Sequence, residues 1–392
     1  MPADVIVIGG GVIGSSIAYH LLDDGFAGRV IVVERDPTYA RASSNLAMGG
    51  IRQQFSSALN IQLAQFSIAF YATFDRRFGL RGAAVAAFRQ RGYLFLVDAS
   101  NRDRFDARFE RQRSLGARLS RLSTADMARR IPGLVLDDIE FGILGPDDGY
   151  ANPTAVLHGF RHAAQSAGAE FVAAEVTALR RDGHRVHGVV LNGDEAIDGA
   201  IVVNAAGPYA ARIATMADLD LPVRPVRQHL FRAYLQANAP ERHPMIVDPS
   251  GVHWRQEDPV APGDPDRIIV AYTKLDEPPG ENFACDHSRW EREFLPPLRR
   301  RLPTHGEYSR VEGWSGLYEM TPDHNPVIGQ HPDRPGLLFA NGFSGHGLMM
   351  APATGKAVSE LVRLGRCETF DLTPLRLTRF DDDQLFWDEA MI

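Results

Sequence analysis

Apolar positions change period several times along the chain, and the order of the changes predicts an architecture. Val5-Ile6-Val7-Ile8 is an unbroken apolar run of strand length. The turn Gly9-Gly10-Gly11-Val12-Ile13-Gly14 follows, opening a helical pattern with Val12, Ile13, Ile17 and Leu21 inward. Val30-Ile31-Val32-Val33 is a second buried strand, ending in Glu34. Strand, turn, helix and strand in that order make the βαβ unit of a dinucleotide-binding fold. Helical periodicity then covers Leu59 to Phe78, strand character Phe88 to Val97, and an arginine-rich amphipathic helix Arg102 to Leu115. Pro153 opens another helix, running to about Ala167. Short strands at Phe171-Val172 and Val186 to Leu191 precede Ala200-Ile201-Val202-Val203, which leads into Asn204-Ala205-Ala206-Gly207-Pro208.

From Leu221 to Tyr272 the pattern is strand-like and proline-rich, as in an antiparallel sheet with irregular edges, and Asp258 to Asp266 reads as an exposed loop. Near the end, Asn341-Gly342-Phe343-Ser344-Gly345-His346-Gly347-Leu348 runs into an apolar helical pattern, with Pro352 tolerated because it lies near the helix start. Nucleotide-type segments therefore stand at the start, middle and end, with antiparallel segments between them. The expected fold is α/β (α+β): a Rossmann-type domain from 1–85, 146–218 and 312–392, with a largely antiparallel substrate domain inserted as 86–145 and 219–311.

Composition narrows the function. A chain of 392 residues with 44% hydrophobic and 23% charged residues suits a two-domain soluble enzyme. A net charge of -7 without any basic tract argues against nucleic acid. Cys285 and Cys367 are isolated, and His158 and His162 are helix neighbours without a carboxylate, so neither a disulfide nor a metal site is expected. No apolar run reaches membrane-spanning length, and a first strand at Val5 leaves no room for a targeting peptide. A cytoplasmic location is the expectation.

Each part of the first turn has a physical task. Gly9 permits the tight turn, Gly11 lets the backbone approach a pyrophosphate, and Gly14 lets the helix pack against the sheet. Glu34 can accept hydrogen bonds from ribose hydroxyls, while Arg35 beside it leaves a 2′-phosphate open. The glycine turn before Leu348 aims backbone N–H groups and a helix dipole at one spot, which suits a ligand that carries or gains negative charge. The two chain ends are thus expected to meet on one cofactor, a flavin. No second complete GxGxxG occurs downstream, so the substrate itself, rather than a nicotinamide, is the expected reductant.

Taken together, Val5 to Arg35, Ser43-Ser44, Gly49-Gly50-Ile51-Arg52-Gln53-Gln54-Phe55, Asp148-Gly149-Tyr150 with Pro153, Asn204 to Pro208, Thr321-Pro322-Asp323 and Gly342 to Gly347 resemble the D-amino-acid oxidase and sarcosine oxidase family of FAD enzymes. The Gly-Gly-Ile-Arg-Gln-Gln-Phe run is most similar to sarcosine oxidase β-subunits and to oxidoreductases linked with respiratory complex I assembly. The resemblance implies FAD and oxidation of a carbon–nitrogen bond in an amino acid or N-substituted amino acid to an imine. It also implies an acceptor that is O2, a quinone or an electron-carrier protein. Ser43, Ser44, Gly49 and Gly50 would line the flavin, Val176 would meet the adenine, and Ala205 and Gly207 would flank the dinucleotide. Gly345, His346, Gly347 and Leu348 would touch the ring. Gly316 and Leu46 stand where family members carry a covalent-attachment cysteine or histidine, so a noncovalent flavin is implied. Met349 replaces a carboxylate-binding lysine of the family.

Candidate reacting residues follow. Arg52 can pair bidentately with a carboxylate, fixing its distance and plane; the alternative is a surface arginine. Arg255 is a second candidate, or an ion-paired strand residue. His346 could hydrogen-bond substrate or hold positive charge near the flavin, or be structural. Tyr318 matches a family tyrosine over the substrate face, or packs in the core. Family oxidases use a lysine near flavin N5; the register puts Ile269 there, with Lys274 nearby. Two other readings remain: a 2-hydroxy-acid dehydrogenase, whose alkoxide would need a base such as His346, and a flavoprotein with a mainly assembly or binding role.

Overall fold

A computed structural model describes residues 3–82, 85–235, 242–257, 264–274, 276–303 and 308–388. The first expected βαβ unit is present: strand Ala3–Ile8, helix Val12–Asp23 and strand Val30–Glu34. These strands anchor an eight-stranded sheet in the order Val327–Gln330, Leu337–Asn341, Glu195–Asn204, Ala3–Ile8, Val30–Glu34, Glu170–Ala173. The central pairs are parallel, and Val5, Ile6 and Val7 are fully buried, because helices cover both faces of such a sheet. Val176–Asp182 and Arg185–Leu191 extend Glu195–Asn204 as an antiparallel flap.

A second eight-stranded sheet is antiparallel save for one parallel pair, Met245–Val247 with Tyr93–Asp98. It contains Tyr308–Met320, Arg224–Leu235, Arg267–Tyr272 and Val252–Glu257 side by side, then Tyr93–Asp98, Ile139–Gly145 and Ser120–Leu122. The expected boundary at 312 falls inside Tyr308–Met320, which pairs along its length with Arg224–Leu235. Apolar residues fall on both faces of that strand, Trp314 and Tyr318 on one and Val311 and Leu317 on the other, so no clean alternation marks it. The expected helix over Leu59 to Phe78 is two, Ala58–Tyr71 and Phe74–Arg77. Of the expected exposed loop, 258–263 lies outside the described residues.

The two ends of the chain do meet. Helix Val12–Asp23 lies against helix Gly347–Leu364, with Ser16 Oγ donating to the Ala351 carbonyl at 2.8 Å. Gly355 makes the contact possible: a Cβ there would lie 2.4 Å from His20 Nδ1 and 2.5 Å from Ser16 Oγ. Both helices therefore present their N-termini to the same region.

Candidate active site

A cavity of about 850 Å³ runs from the first glycine turn to the N-terminus of helix Gly347–Leu364 and on beneath the second sheet. Its dinucleotide end is built as the turn predicts. Gly9 has φ 101°, and a Cβ there would lie 2.4 Å from the Ala205 carbonyl oxygen. A Cβ on Gly14 would lie 1.9 Å from the Gly9 carbonyl oxygen, so only glycine lets the helix start so near the strand. At Gly11 a Cβ would meet nothing nearer than Ser44 Oγ at 3.6 Å, which leaves the backbone open to a ligand. Ser44 Oγ accepts from Val12 N at 3.1 Å, and Ser43 Oγ donates to the Leu317 carbonyl at 2.7 Å, tying the 43–50 loop to the first helix and to the second sheet.

Glu34 is anchored by two backbone donors, Gly10 N and Asp36 N, each at 2.8 Å, one on each oxygen. One lone pair per oxygen remains for ribose hydroxyls. Arg35 stacks its guanidinium 3.6 Å over the Tyr209 ring, an orientation that walls the adenosine end. Tyr39 also lines this end, and its hydroxyl is buried with no hydrogen-bond partner, a donor waiting for an acceptor. An elongated cavity with an open glycine turn, a ribose acceptor and an orphaned hydroxyl fits FAD. Of the cofactor residues expected above, all but Gly14 line the cavity. Gly14 acts one layer behind. Gly316 and Leu46, the two attachment positions, lie together, since a Cβ on Gly316 would be 3.0 Å from Leu46 Cβ. Neither side chain can bond the ring, and FAD is held noncovalently.

The substrate end is organised around Arg52, which is 1% exposed and lines the cavity. Its Nη1 donates to the Gln54 carbonyl at 2.5 Å, its guanidinium lies 4.4 Å from the Phe55 ring, and Nη2 is 3.4 Å from His346 Nε2. Burial lowers its pKa from the usual arginine value. Asp148, fully buried behind the same loop, accepts from Gln53 N at 3.0 Å and from Gln54 Nε2 at 2.9 Å. Burial pushes its carboxyl up to about 7 against these bonds and the field of Arg52. Asp148 thus sets the loop that sets Arg52.

His346 stands just before helix Gly347–Leu364, and its ring meets Phe55 edge-on at 5.1 Å. Burial, then Arg52, lowers its pKa to about 3, which disfavours the charged form of the imidazole. Tyr318 lies against Gly345, where a Cβ would be 2.5 Å from the ring, and burial raises its phenol pKa. The next residue, Glu319, lines the cavity and accepts from Gly342 N at 3.0 Å; burial pushes it to about 7.

Two candidates are placed elsewhere. Arg255 shares a strand face with His253, but its Nε donates to the Met48 carbonyl at 2.8 Å and its guanidinium lies 4.7 Å from the Tyr150 ring. It braces the 43–50 loop and does not line the cavity. Lys274, 33% exposed on its side chain, faces Glu293 at 3.7 Å and is also outside the lining. Ile269 packs with Met48, Tyr93 and Met245, whereas Ala271 and Thr273, further along, reach the cavity. His253, Tyr39, Tyr93, Tyr209 and Glu319 line the site without having been candidates. A local signal existed only for Glu319, which sits inside the Tyr318 to Asp323 run.

Comparison with known proteins agrees with this geometry. Residues 4–361 match the FAD dependent oxidoreductase (DAO) family. FAD-dependent oxidoreductase domain-containing protein 1 of Bos taurus is 33% identical over 414 residues, covering 96% of this chain and 85% of that protein. Glycine oxidase of Geobacillus kaustophilus is 27% identical, covering 96% of this chain and 97% of that one. The crystal structure of L-proline dehydrogenase from P. horikoshii superposes with a TM-score of 0.87 at 26% identity, over 98% of this chain and 99% of that chain.

Proposed function

The chain belongs to the FAD-dependent oxidoreductase (DAO) family, and from that premise we propose that it oxidises the carbon–nitrogen bond of an amino acid or N-substituted amino acid to an imine. One observation carries the reading. A buried guanidinium, Arg52, lies beside a neutral imidazole, His346, where the start of helix Gly347–Leu364 meets the far end of the dinucleotide cavity. Two relatives of this chain are named for reactions of glycine and of L-proline, both amino acids.

When bound, FAD supplies the hydride acceptor at its ring nitrogen N5. Arg52 binds the substrate carboxylate and fixes the plane of the adjoining carbon. His346 Nε2 faces Arg52 Nη2, which only donates, so His346 serves there as an acceptor that steadies the guanidinium. The free N–H groups at the start of the last helix place positive potential where negative charge develops. Burial of the whole end under the second sheet excludes water. The reacting nitrogen needs only to be neutral, so no strong base is required.

A 2-hydroxy acid would require one. His346 Nε2 is already engaged by Arg52 Nη2 at 3.4 Å and so is poorly placed to take a substrate proton, which favours the amine reading. Anaerobic bleaching of the flavin by a panel of D-amino, L-amino, N-methylated, cyclic imino and 2-hydroxy acids tests the assignment. Bleaching by amines alone is the expected result. Bleaching by hydroxy acids would overturn it, and bleaching by no member of the panel would favour an assembly or binding role.

A further inference from the structure

The substrate end contains a polar side chain that the reaction above does not use. His253 is 6% exposed and lines the cavity. Alternation along strand Val252–Glu257 sends Val252 and Trp254 into the core with Phe294 and Leu298, and turns His253 to the opposite, cavity face. Its Nδ1 lies 3.0 Å from the Gly251 carbonyl oxygen. A carbonyl only accepts, so Nδ1 carries the hydrogen, and the neutral ring presents a bare lone pair at Nε2. Among the described residues Nε2 has no hydrogen-bond partner.

The turn that fixes this tautomer is itself anchored away from the cavity. Gly251, at φ 90°, donates its N–H to the Asp248 carbonyl at 2.8 Å, and Asp248 N donates to the Val252 carbonyl at 3.0 Å. The Asp248 carboxylate is held by Arg301 Nε at 2.5 Å. Burial and the field of Arg52 also lower the pKa of the ring to about 4, in keeping with that neutral tautomer. An unpaired acceptor is therefore preset in the same cavity as the guanidinium that binds the carboxylate. Ligands that leave it unmatched lose binding relative to those that donate to it.

We propose that His253 Nε2 accepts a hydrogen bond from the substrate's N–H, and so selects amino acids over acids of the same shape that lack a donor at that atom. This rests on the carbon–nitrogen reading above and assigns the residue that recognises the nitrogen.

The test is ligand binding to the FAD-loaded protein, read as the change in flavin absorbance during anaerobic titration. Two ligand pairs keep the carbon frame and carboxylate and replace the N–H by a sulfur or oxygen atom that carries no hydrogen: N-methylglycine against (methylthio)acetate, and L-proline against tetrahydrofuran-2-carboxylate. In His253→Leu the amine of at least one pair should bind about 10- to 100-fold more weakly. Its partner without N–H should change by less than about 3-fold or bind more tightly, because the orphaned acceptor is gone. His253→Asn, which keeps an acceptor, should recover part of the amine binding. Unchanged FAD content shows that the variants fold. Equal losses for both members of each pair, or no loss for either, would overturn the role of His253 while leaving the carbon–nitrogen reading standing. Wild-type protein that binds the acids without N–H but neither amine would overturn both.

Discussion

Arg52→Ala removes the guanidinium that lines the cavity beside His346, and the apparent binding of an acid substrate should weaken by about 2–4 kcal/mol. Decarboxylated analogues should lose much less. Equal losses, measured by flavin titration, would mean that the arginine serves the fold. Asp148, behind it, makes a separate prediction about pH. Its carboxyl is raised from 3.8 to about 7, so the folded protein holds the proton more tightly than the unfolded chain does. The associated stability is complete below the ordinary carboxyl value and is lost as pH rises through about 7. Glu319, raised from 4.5 to about 7, acts in the same window. Asp148→Asn has no proton to release, so its melting temperature should fall less between pH 5 and 8 than that of the wild type. At this scale the sequence was legible only where a residue sits in a distinctive run. His346 lies between two glycines and Arg52 follows closely on Gly49 and Gly50, whereas Arg255 and Lys274 carry no such mark and lie outside the cavity lining. His253 and Tyr39 carry no local mark, because strand and loop positions acquire a cavity only when distant segments arrive.

The elements that position the cofactor were legible because their patterns are local. A strand, a glycine turn and a helix each declare themselves within about a dozen residues. The contact between helix Val12–Asp23 and helix Gly347–Leu364 was foreseen only as a meeting of ends; its geometry depends on Gly355, which nothing in the helical pattern singles out. A Cβ there would collide with Ser16 and His20 in a closely packed interface. Gly355→Ala should cost about 1–3 kcal/mol of stability. It should also reduce the FAD retained after gel filtration, since both helix N-termini border the cavity. A variant with full flavin content and an unchanged melting temperature would show that the interface yields.

For the whole molecule, the chemistry of reoxidation depends on what cation reaches the ring. The chain has two lysines, Lys274 and Lys356. Lys274 faces Glu293, and Lys356 binds Asp24 at 3.1 Å. Neither lines the cavity, so no ammonium assists oxygen there in the manner of the family's oxidases. Substrate-reduced protein should therefore react slowly with air-saturated buffer, and a quinone or electron carrier should serve better. Stopped-flow reoxidation by oxygen as fast as turnover with an artificial acceptor would refute this. The two kinds of sheet were legible in outline from the alternation of segment types, but the long strand that crosses 312 was not. The joining of the first and last helices also has a consequence for biosynthesis. The pyrophosphate turn leaves the ribosome within the first few dozen residues, whereas the helix that completes the flavin end emerges after about nine-tenths of the chain. Folding during synthesis can assemble the early strands but not a finished cavity. The finished flavin site therefore cannot form before helix Gly347–Leu364 has emerged, so a nascent chain that stops short of it holds only half of the cofactor's enclosure.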